Sequence, residues 1–456
     1  MRELPDSQIS SSRIIRRVGG FTAACLLVGN VIGTGIFTTT GFMARDLGNA
    51  KVVLVVWLIG ALLALAGAVS YSELGAAMPA VGGEYVYLRH AYGPLIGFLS
   101  GWASFTVGFG AAIAAAAVSF TAYLLQIYPM DSERGPIALA LALALVWILT
   151  AVHLAGVGPG GFLQRLLTVL KVTAILLLII GGLSLGTGTW ENLRVEQAEV
   201  SPRFGSIFVA LIFVTYAYSG WNVAGYIAGE LINPGRTIPR VMISGTLLVG
   251  FVYISLNMVY FYALPVTALA EPPVLPVAEK ASVAMFGPAG ARLIAGLLCL
   301  SMAGAVSAMV WAGPRVYYAM ARDGMIPAVF GQTGQESGAP GKSIILQSAW
   351  ASVLILLGTF EQLVVSIGVV LVAFSALAVG SVILLRRQLP DLPRPYKVPF
   401  YPLVPLLYIV VSVLMVGYAI LERPLESLLV TAIVLTGVPL YFLWRKARGL
   451  NKHSWG

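Results

Sequence analysis

Charge is scarce in this chain. Of its 456 residues only 10% are Asp, Glu, Lys or Arg, while 58% are hydrophobic. A water-soluble domain of this length carries about a quarter charged residues, so a soluble fold is excluded. Cysteine is almost absent. Cys25 and Cys299 both fall in apolar stretches, which excludes a disulfide framework and predicts buried thiols. The three histidines, His90, His153 and His453, are scattered and flank no acidic or cysteine cluster. Metal-dependent or acid–base enzymology needs such groups to converge, so no enzyme activity, metal or cofactor is expected. A cleavable signal is not expected either. The first apolar block follows Arg13-Ile14-Ile15-Arg16-Arg17 and is longer than a signal-peptide core.

What is present is long apolar runs. The 20-residue criterion gives twelve, at 20–44, 52–77, 93–127, 136–155, 162–187, 205–231, 240–264, 289–321, 343–359, 362–386, 402–421 and 426–445. The chain therefore reads as an all-α polytopic membrane protein. Spans three and eight are long enough to imply tilt or extension beyond the bilayer. Twelve spans put both termini on one side. With that side cytoplasmic, Lys and Arg fall mainly there, as the positive-inside rule requires. The net charge of +9 is then mostly a topology signal. No basic folded surface with stacking aromatics suggests nucleic acid.

The first span contains an anomaly, Gly29-Asn30-Val31-Ile32-Gly33-Thr34-Gly35-Ile36-Phe37. Glycine is a poor helix former, so Gly33-Thr34-Gly35 is where the helix is expected to open. Open backbone at membrane depth survives only where it is buried in protein or lines a polar cavity. It offers N–H groups on one side and carbonyls on the other, which suits a zwitterion. The competing reading is helix packing through the Gly29/Gly33 G-x-x-x-G face. Span six is interrupted in the same way at Tyr216-Ala217-Tyr218-Ser219-Gly220-Trp221-Asn222. It opens a second group of five spans, inverted relative to the first because five is odd. Paired interruptions in inverted halves point to a transporter's central site. Asn233-Pro234-Gly235 is expected to stop span six, and the link 265–288, with Pro272, Pro273 and Pro276, to be an ordinary external connector.

Lys171 is the outstanding single residue. It lies about ten residues into span five, or about 15 Å at 1.5 Å per residue, where a lysine is costly and marks function by default. Snorkelling to the membrane face is the alternative, but the depth strains a four-carbon stem. Glu73, Glu84, Glu230 and Glu361 are expected near membrane faces as interfacial or ion-paired groups, leaving no acid for the central site.

Four stretches resemble the amino acid–polyamine–organocation transporter superfamily, especially its L-type and prokaryotic amino-acid branches. They are Gly29 to Phe37; Pro79 to Leu88 with Tyr92-Gly93-Pro94; Tyr216 to Asn222 with Glu230 and Asn233-Pro234; and Arg315 to Gly324 with Pro327. The resemblance implies the leucine-transporter fold: two inverted five-helix repeats and two peripheral helices, with spans one and six broken. The boundaries then run 1–17 cytoplasmic N-tail, 18–187 first repeat, 188–204 external loop, 205–386 second repeat, 387–445 peripheral helices and 446–456 cytoplasmic C-tail. It implies a substrate carboxylate on the N–H groups of Gly33, Thr34 and Gly35. The substrate amine would meet the carbonyls of Val31, Ile32, Tyr216, Ala217 and Ser219. Tyr216 falls where relatives place an aromatic gate, commonly phenylalanine. Trp221 and Asn222 would shape the second half-helix. Phe105, Phe109, Ser307, Phe374 and Ser375 are candidates for the side-chain pocket. In sodium-independent relatives a span-five lysine reaches the place where sodium sits in sodium-coupled members, and Lys171 matches it. A proton released by Lys171 during the cycle would couple transport to protons. A permanently charged Lys171 leaves exchange or facilitated uptake. The resulting expectation is a sodium-independent, proton-coupled permease moving neutral L-amino acids across the plasma membrane by alternating access. Its alternatives are an exchanger or facilitator, a permease for cationic amino acids or polyamines, and an amino-acid sensor. The expected partners are the amino acid, protons and the lipid bilayer; no sequence feature identifies a partner subunit.

Overall fold

The computed structural model describes residues 16–127, 134–197, 200, 202–272, 277–334, 337–357 and 360–447. The expected tails before residue 16 and after residue 447 lie outside these, as do Pro273 and Pro276. The side chain of Glu361 lies outside the described side chains. The described residues are predominantly helical. In order the helices are α1 (Gly20–Val31), α2 (Gly35–Leu47), α3 (Ala50–Ala77), α4 (Glu84–Tyr92), α5 (Pro94–Ala103), α6 (Gly110–Ile127), α7 (Arg134–Leu154), α8 (Val157–Leu185), α9 (Phe204–Tyr218) and α10 (Val223–Tyr226). There follow α11 (Pro234–Ala263), α12 (Val266–Ala270), α13 (Val277–Ala312), α14 (Pro314–Arg322), α15 (Gly341–Leu357), α16 (Phe360–Gln388), α17 (Leu403–Glu422), α18 (Pro424–Leu435) and α19 (Gly437–Ala447).

Among the described residues, ten helical segments are long and apolar enough to cross a membrane, and α9 and α15 are shorter apolar helices. Large apolar side chains stay exposed along them, including Leu62 on α3, Ile148 on α7, Leu177 on α8, Phe251 on α11 and Leu428 on α18. Water would penalise such a belt and lipid does not.

Several boundaries have a clear local cause. Asn49 caps α3, its Oδ1 accepting from the N–H groups of Lys51 and Val52. Pro234 starts α11 at a position where its missing N–H costs nothing. Gly287, at φ 70°, kinks α13 ahead of Pro288, and among the described residues of the link 265–288, Val266–Ala270 and those from Val277 onward are helical. Span three is also more than a long helix. A π-helical turn at Ser104–Phe109 separates α5 from α6 and rotates the phase of the side chains beyond it.

The edge of the molecule near the start of α1 is stitched together by backbone. The N–H groups of Arg17 and Val18 donate to the Glu230 carbonyl, and the Ile232 N–H donates to the Val18 carbonyl, at 2.9 to 3.0 Å. The Glu230 carboxylate is itself held by Arg315, at 2.8 Å from Nε, with both side chains buried. Because α3 begins where α2 ends and finishes at Ala77, helix α4 lies on this same side.

Candidate functional site

Helix α1 stops at Val31 and α2 starts at Gly35, with Ile32, Gly33 and Thr34 between them non-helical. A continued helix would have given the carbonyls of Gly29, Val31 and Ile32 the amides four residues on. Other partners replace these. Lys171 Nζ, fully buried on α8, donates to the Gly29 carbonyl at 2.9 Å and to the Ile32 carbonyl. Tyr253 Oη, fully buried on α11, donates to the Val31 carbonyl at 2.7 Å. The ammonium thus sits at the negative end of the α1 dipole. A lysine at mid-membrane costs about 2.5–3.5 kcal/mol on insertion scales. Two charge-assisted bonds at about 1.5–3 kcal/mol each offset that. Gly304 on α13 leaves room for the stem: a Cβ there would lie 3.3 Å from Lys171 Cε. Lys171 is therefore in contact with α1 and α13 and does not snorkel.

The glycines of the opening have different roles. A Cβ on Gly29 would come within 2.1 Å of Gln164 Nε2, so Gly29 packs against α8. A Cβ on Gly35 would fall 2.5 Å from Ala217 Cα, so the two interrupted spans touch backbone to backbone. A Cβ on Gly33 meets nothing nearer than Ala305 Cβ at 3.7 Å. Neither crowding nor a positive φ requires glycine at Gly33. The amides of Thr34 and Gly35 head α2, where the positive end of the helix dipole lies.

The second interruption follows α9. Its Tyr216 carbonyl accepts from the Ser219 N–H at 3.0 Å. The Ala217 carbonyl lies 3.0 Å from the same Tyr253 Oη, whose single hydrogen it shares with the Val31 carbonyl. Gly220 has φ 104°, and a Cβ on it would fall 2.3 Å from Asn30 Nδ2, so both geometry and space require glycine. Across the gap Tyr216 Oη lies 2.7 Å from Thr34 Oγ1. One phenol, Tyr253, thus bridges the two interruptions, and a second, Tyr216, ties them where the gate is expected. Each bonded carbonyl keeps a second lone pair for a ligand.

A cavity reaches the interruptions from the α4 side. Asn30, Ser219 and Gly220 line it at the breaks, and Ser100, Ser104, Phe109, Tyr226, Val370 and Phe374 line its walls. Of the pocket candidates, Phe109, Phe374 and Asn222 line this cavity. Ser375 lies behind it, its Oγ 3.5 Å from Glu84 Oε1. Trp221 packs edge-on against Tyr71 at 4.7 Å. Phe105 turns away to Tyr317 and Trp350, on the other side of the π-helical turn. Ser307 is bonded to His153 Nε2 at 3.0 Å.

The acids separate into two kinds. Glu230 pairs with Arg315, and Glu73 pairs with Arg386 and Arg394. Glu84 corrects the expectation that no acid reaches the site. It is buried, lines the cavity, and has neutral partners only: Tyr71 Oη donates at 2.6 Å and Asn222 Nδ2 at 2.8 Å, both to Oε1. Burial raises its carboxyl above the ordinary range, against the pull of those donors. Tyr253 and the Glu84 cluster escaped sequence reasoning. A tyrosine in an apolar span reads as core, and Glu84 sits in a turn-rich link that reads as surface.

Two interrupted membrane helices, joined across the middle of a helical bundle and opening onto one cavity, define a polytopic permease. The chain matches the amino acid permease family over residues 18–439 and belongs to it, within the amino acid–polyamine–organocation superfamily. It is similar to the large neutral amino acids transporter small subunit 2 of Mus musculus, at 29% identity over 96% of this chain and 83% of that protein. It is equally similar to the serine/threonine exchanger SteT of Bacillus subtilis, at 29% identity over 95% of this chain and 98% of that protein. The Asc-type amino acid transporter 1 of Mus musculus is 27% identical over 94% of this chain and 82% of that protein.

Proposed function

We propose that the protein moves neutral L-amino acids across the plasma membrane by alternating access, without sodium and with proton coupling. Twelve crossings, with residues 18–187 and 205–386 as inverted five-helix repeats, 387–445 as peripheral helices and both termini cytoplasmic, make up the architecture. The substrate carboxylate rests on the amides of Gly33, Thr34 and Gly35. Its ammonium takes the free lone pairs of the Val31, Ile32, Tyr216, Ala217 and Ser219 carbonyls, with Tyr216 as gate. The observation that supports this most is the pairing of the two interruptions through Tyr253 and through Thr34 with Tyr216. The lysine on Gly29 and Ile32 supports sodium independence, because an ammonium already supplies the charge a cation would bring to those carbonyls. The names of the similar transporters support neutral substrates.

Uptake of a panel of radiolabelled L-amino acids into proteoliposomes tests the reading. Neutral amino acids should accumulate with an inward proton gradient, and replacing sodium should change nothing. Absence of both uptake and counterflow for every amino acid rejects it. The exchanger reading is favoured by one of the similar proteins, the serine/threonine exchanger. Uptake that requires a preloaded amino acid and ignores the pH gradient selects it.

A further inference from the structure

Three buried acids in this fold invite comparison. Glu73 and Glu230 have arginine partners, and Glu84 does not. The hydrogen bonds to Glu84 from Tyr71, Asn222 and Ser375 all converge on Oε1. None of the described bonds reaches Oε2, and the residue lines the cavity. A second group in the same wall is also short of a partner. Ser100 is 2% exposed, lines the cavity, and its hydroxyl has no hydrogen-bond partner in the structure. Aromatic faces from Phe109, Phe374 and Tyr226 complete the wall. A buried carboxylate oxygen and a lone hydroxyl next to aromatic rings fit a primary ammonium, which brings three donors and a charge.

We propose that Glu84 and Ser100 form an ammonium-binding subsite on the α4 side of the interruptions, where the amino group of the amino acid rests between the central carbonyls and the α4-side solution. The proposal rests on the transport reading above and adds a station to it. Carboxylate at this point explains how an ammonium leaves the carbonyls of a fixed site without being stranded in an apolar passage. The titratable side chains that face Glu84 are phenols: Tyr71 from α3, Tyr87 from its own helix, Tyr226 from α10 and Tyr408 from α17. Among the described residues no cation contributes to its setting. Its carboxyl is raised by burial, so protons compete with the ammonium as the pH on that face falls.

The test uses proteoliposomes whose orientation is fixed by protease access to a C-terminal tag, with counterflow of a labelled neutral amino acid as readout. Butylammonium chloride is added on the α4 side at constant ionic strength. Wild-type protein should be inhibited, and inhibition should weaken on acidification. E84Q should need at least tenfold more butylammonium, S100A about threefold more, and E84D should restore most of the sensitivity. The half-saturating amino acid concentration on that side should rise in the same order. Wild-type counterflow that is insensitive to butylammonium, or as sensitive to sodium chloride, overturns the subsite whatever the variants do. Equal sensitivity of folded E84Q and wild type does the same. Absence of wild-type counterflow instead rejects the transport reading itself.

Discussion

At the first interruption the open carbonyls of Gly29 and Ile32 meet an ammonium, and at the second the Ala217 carbonyl meets a phenol. The first gap is three residues, Ile32 to Thr34, with no positive φ. The second is four residues, Ser219 to Asn222, turning at Gly220, with the Tyr216 carbonyl satisfied by the Ser219 N–H from within the turn. Spans that look alike as glycine-rich stretches are therefore held open by different forces. The first depends on a charge brought from α8. The second depends on local turn geometry and on the hydroxyl of Tyr253, which also serves the first.

Six substitutions separate these forces, and the charge should matter most. K171A leaves the Gly29 and Ile32 carbonyls without their donor and empties the space beside Gly304. Initial uptake should fall at least thirtyfold, since leaving two buried carbonyls without their donor costs about 1–3 kcal/mol each. Uptake within twofold of wild type, with unchanged pH dependence, would show that the first gap stays open without a cation.

Next is the contact between the gaps. G35A drives a Cβ into Ala217 backbone, and overpacking of this kind costs about 1–3 kcal/mol. G33A meets only ordinary contacts, the nearest Ala305 Cβ at 3.7 Å. Thermal unfolding in detergent should therefore fall clearly for G35A and hardly for G33A, while a bulkier G33L should lose substrate binding in a protein that still inserts. Equal melting of G35A and wild type would mean that the spans do not need to touch.

Y253F removes the single hydrogen that the Val31 and Ala217 carbonyls share, and leaving these buried acceptors short at about 1–3 kcal/mol should raise the half-saturating concentration roughly fivefold to a hundredfold. Y216F removes only the bond to Thr34 and should change it less than tenfold. The reverse ranking would place the main tie at the gate and not at Tyr253.

Much of this arrangement is legible in the sequence because membrane depth forbids it without cause. Glycines and a threonine at Gly33 to Gly35, and a lysine at position 171, are visible against a uniformly apolar background. The partners are not visible, because tertiary packing decides them. Tyr253 looks like any core aromatic until Val31 and Ala217 are brought to its hydroxyl. Phe105 and Phe109 are one helical turn apart and look equivalent, yet the π-helical turn sends one to Trp350 and the other to the cavity. Glu84 follows Gly82-Gly83 in a link that reads as surface, and only the packing of α3, α10 and α16 around α4 buries it.

The backbone stitching at Val18 has a mechanical consequence. The entrance to α1 and the stretch just past α10 share three main-chain bonds and lean on the Glu230–Arg315 pair. These two struts are hinged to one plate. A swing that clears a path on the α4 side must carry both or tear the seam. The proposed grips of the two interruptions on the carboxylate and on the amine would then be released in one stroke, leaving Glu84 as the last hold on the ammonium.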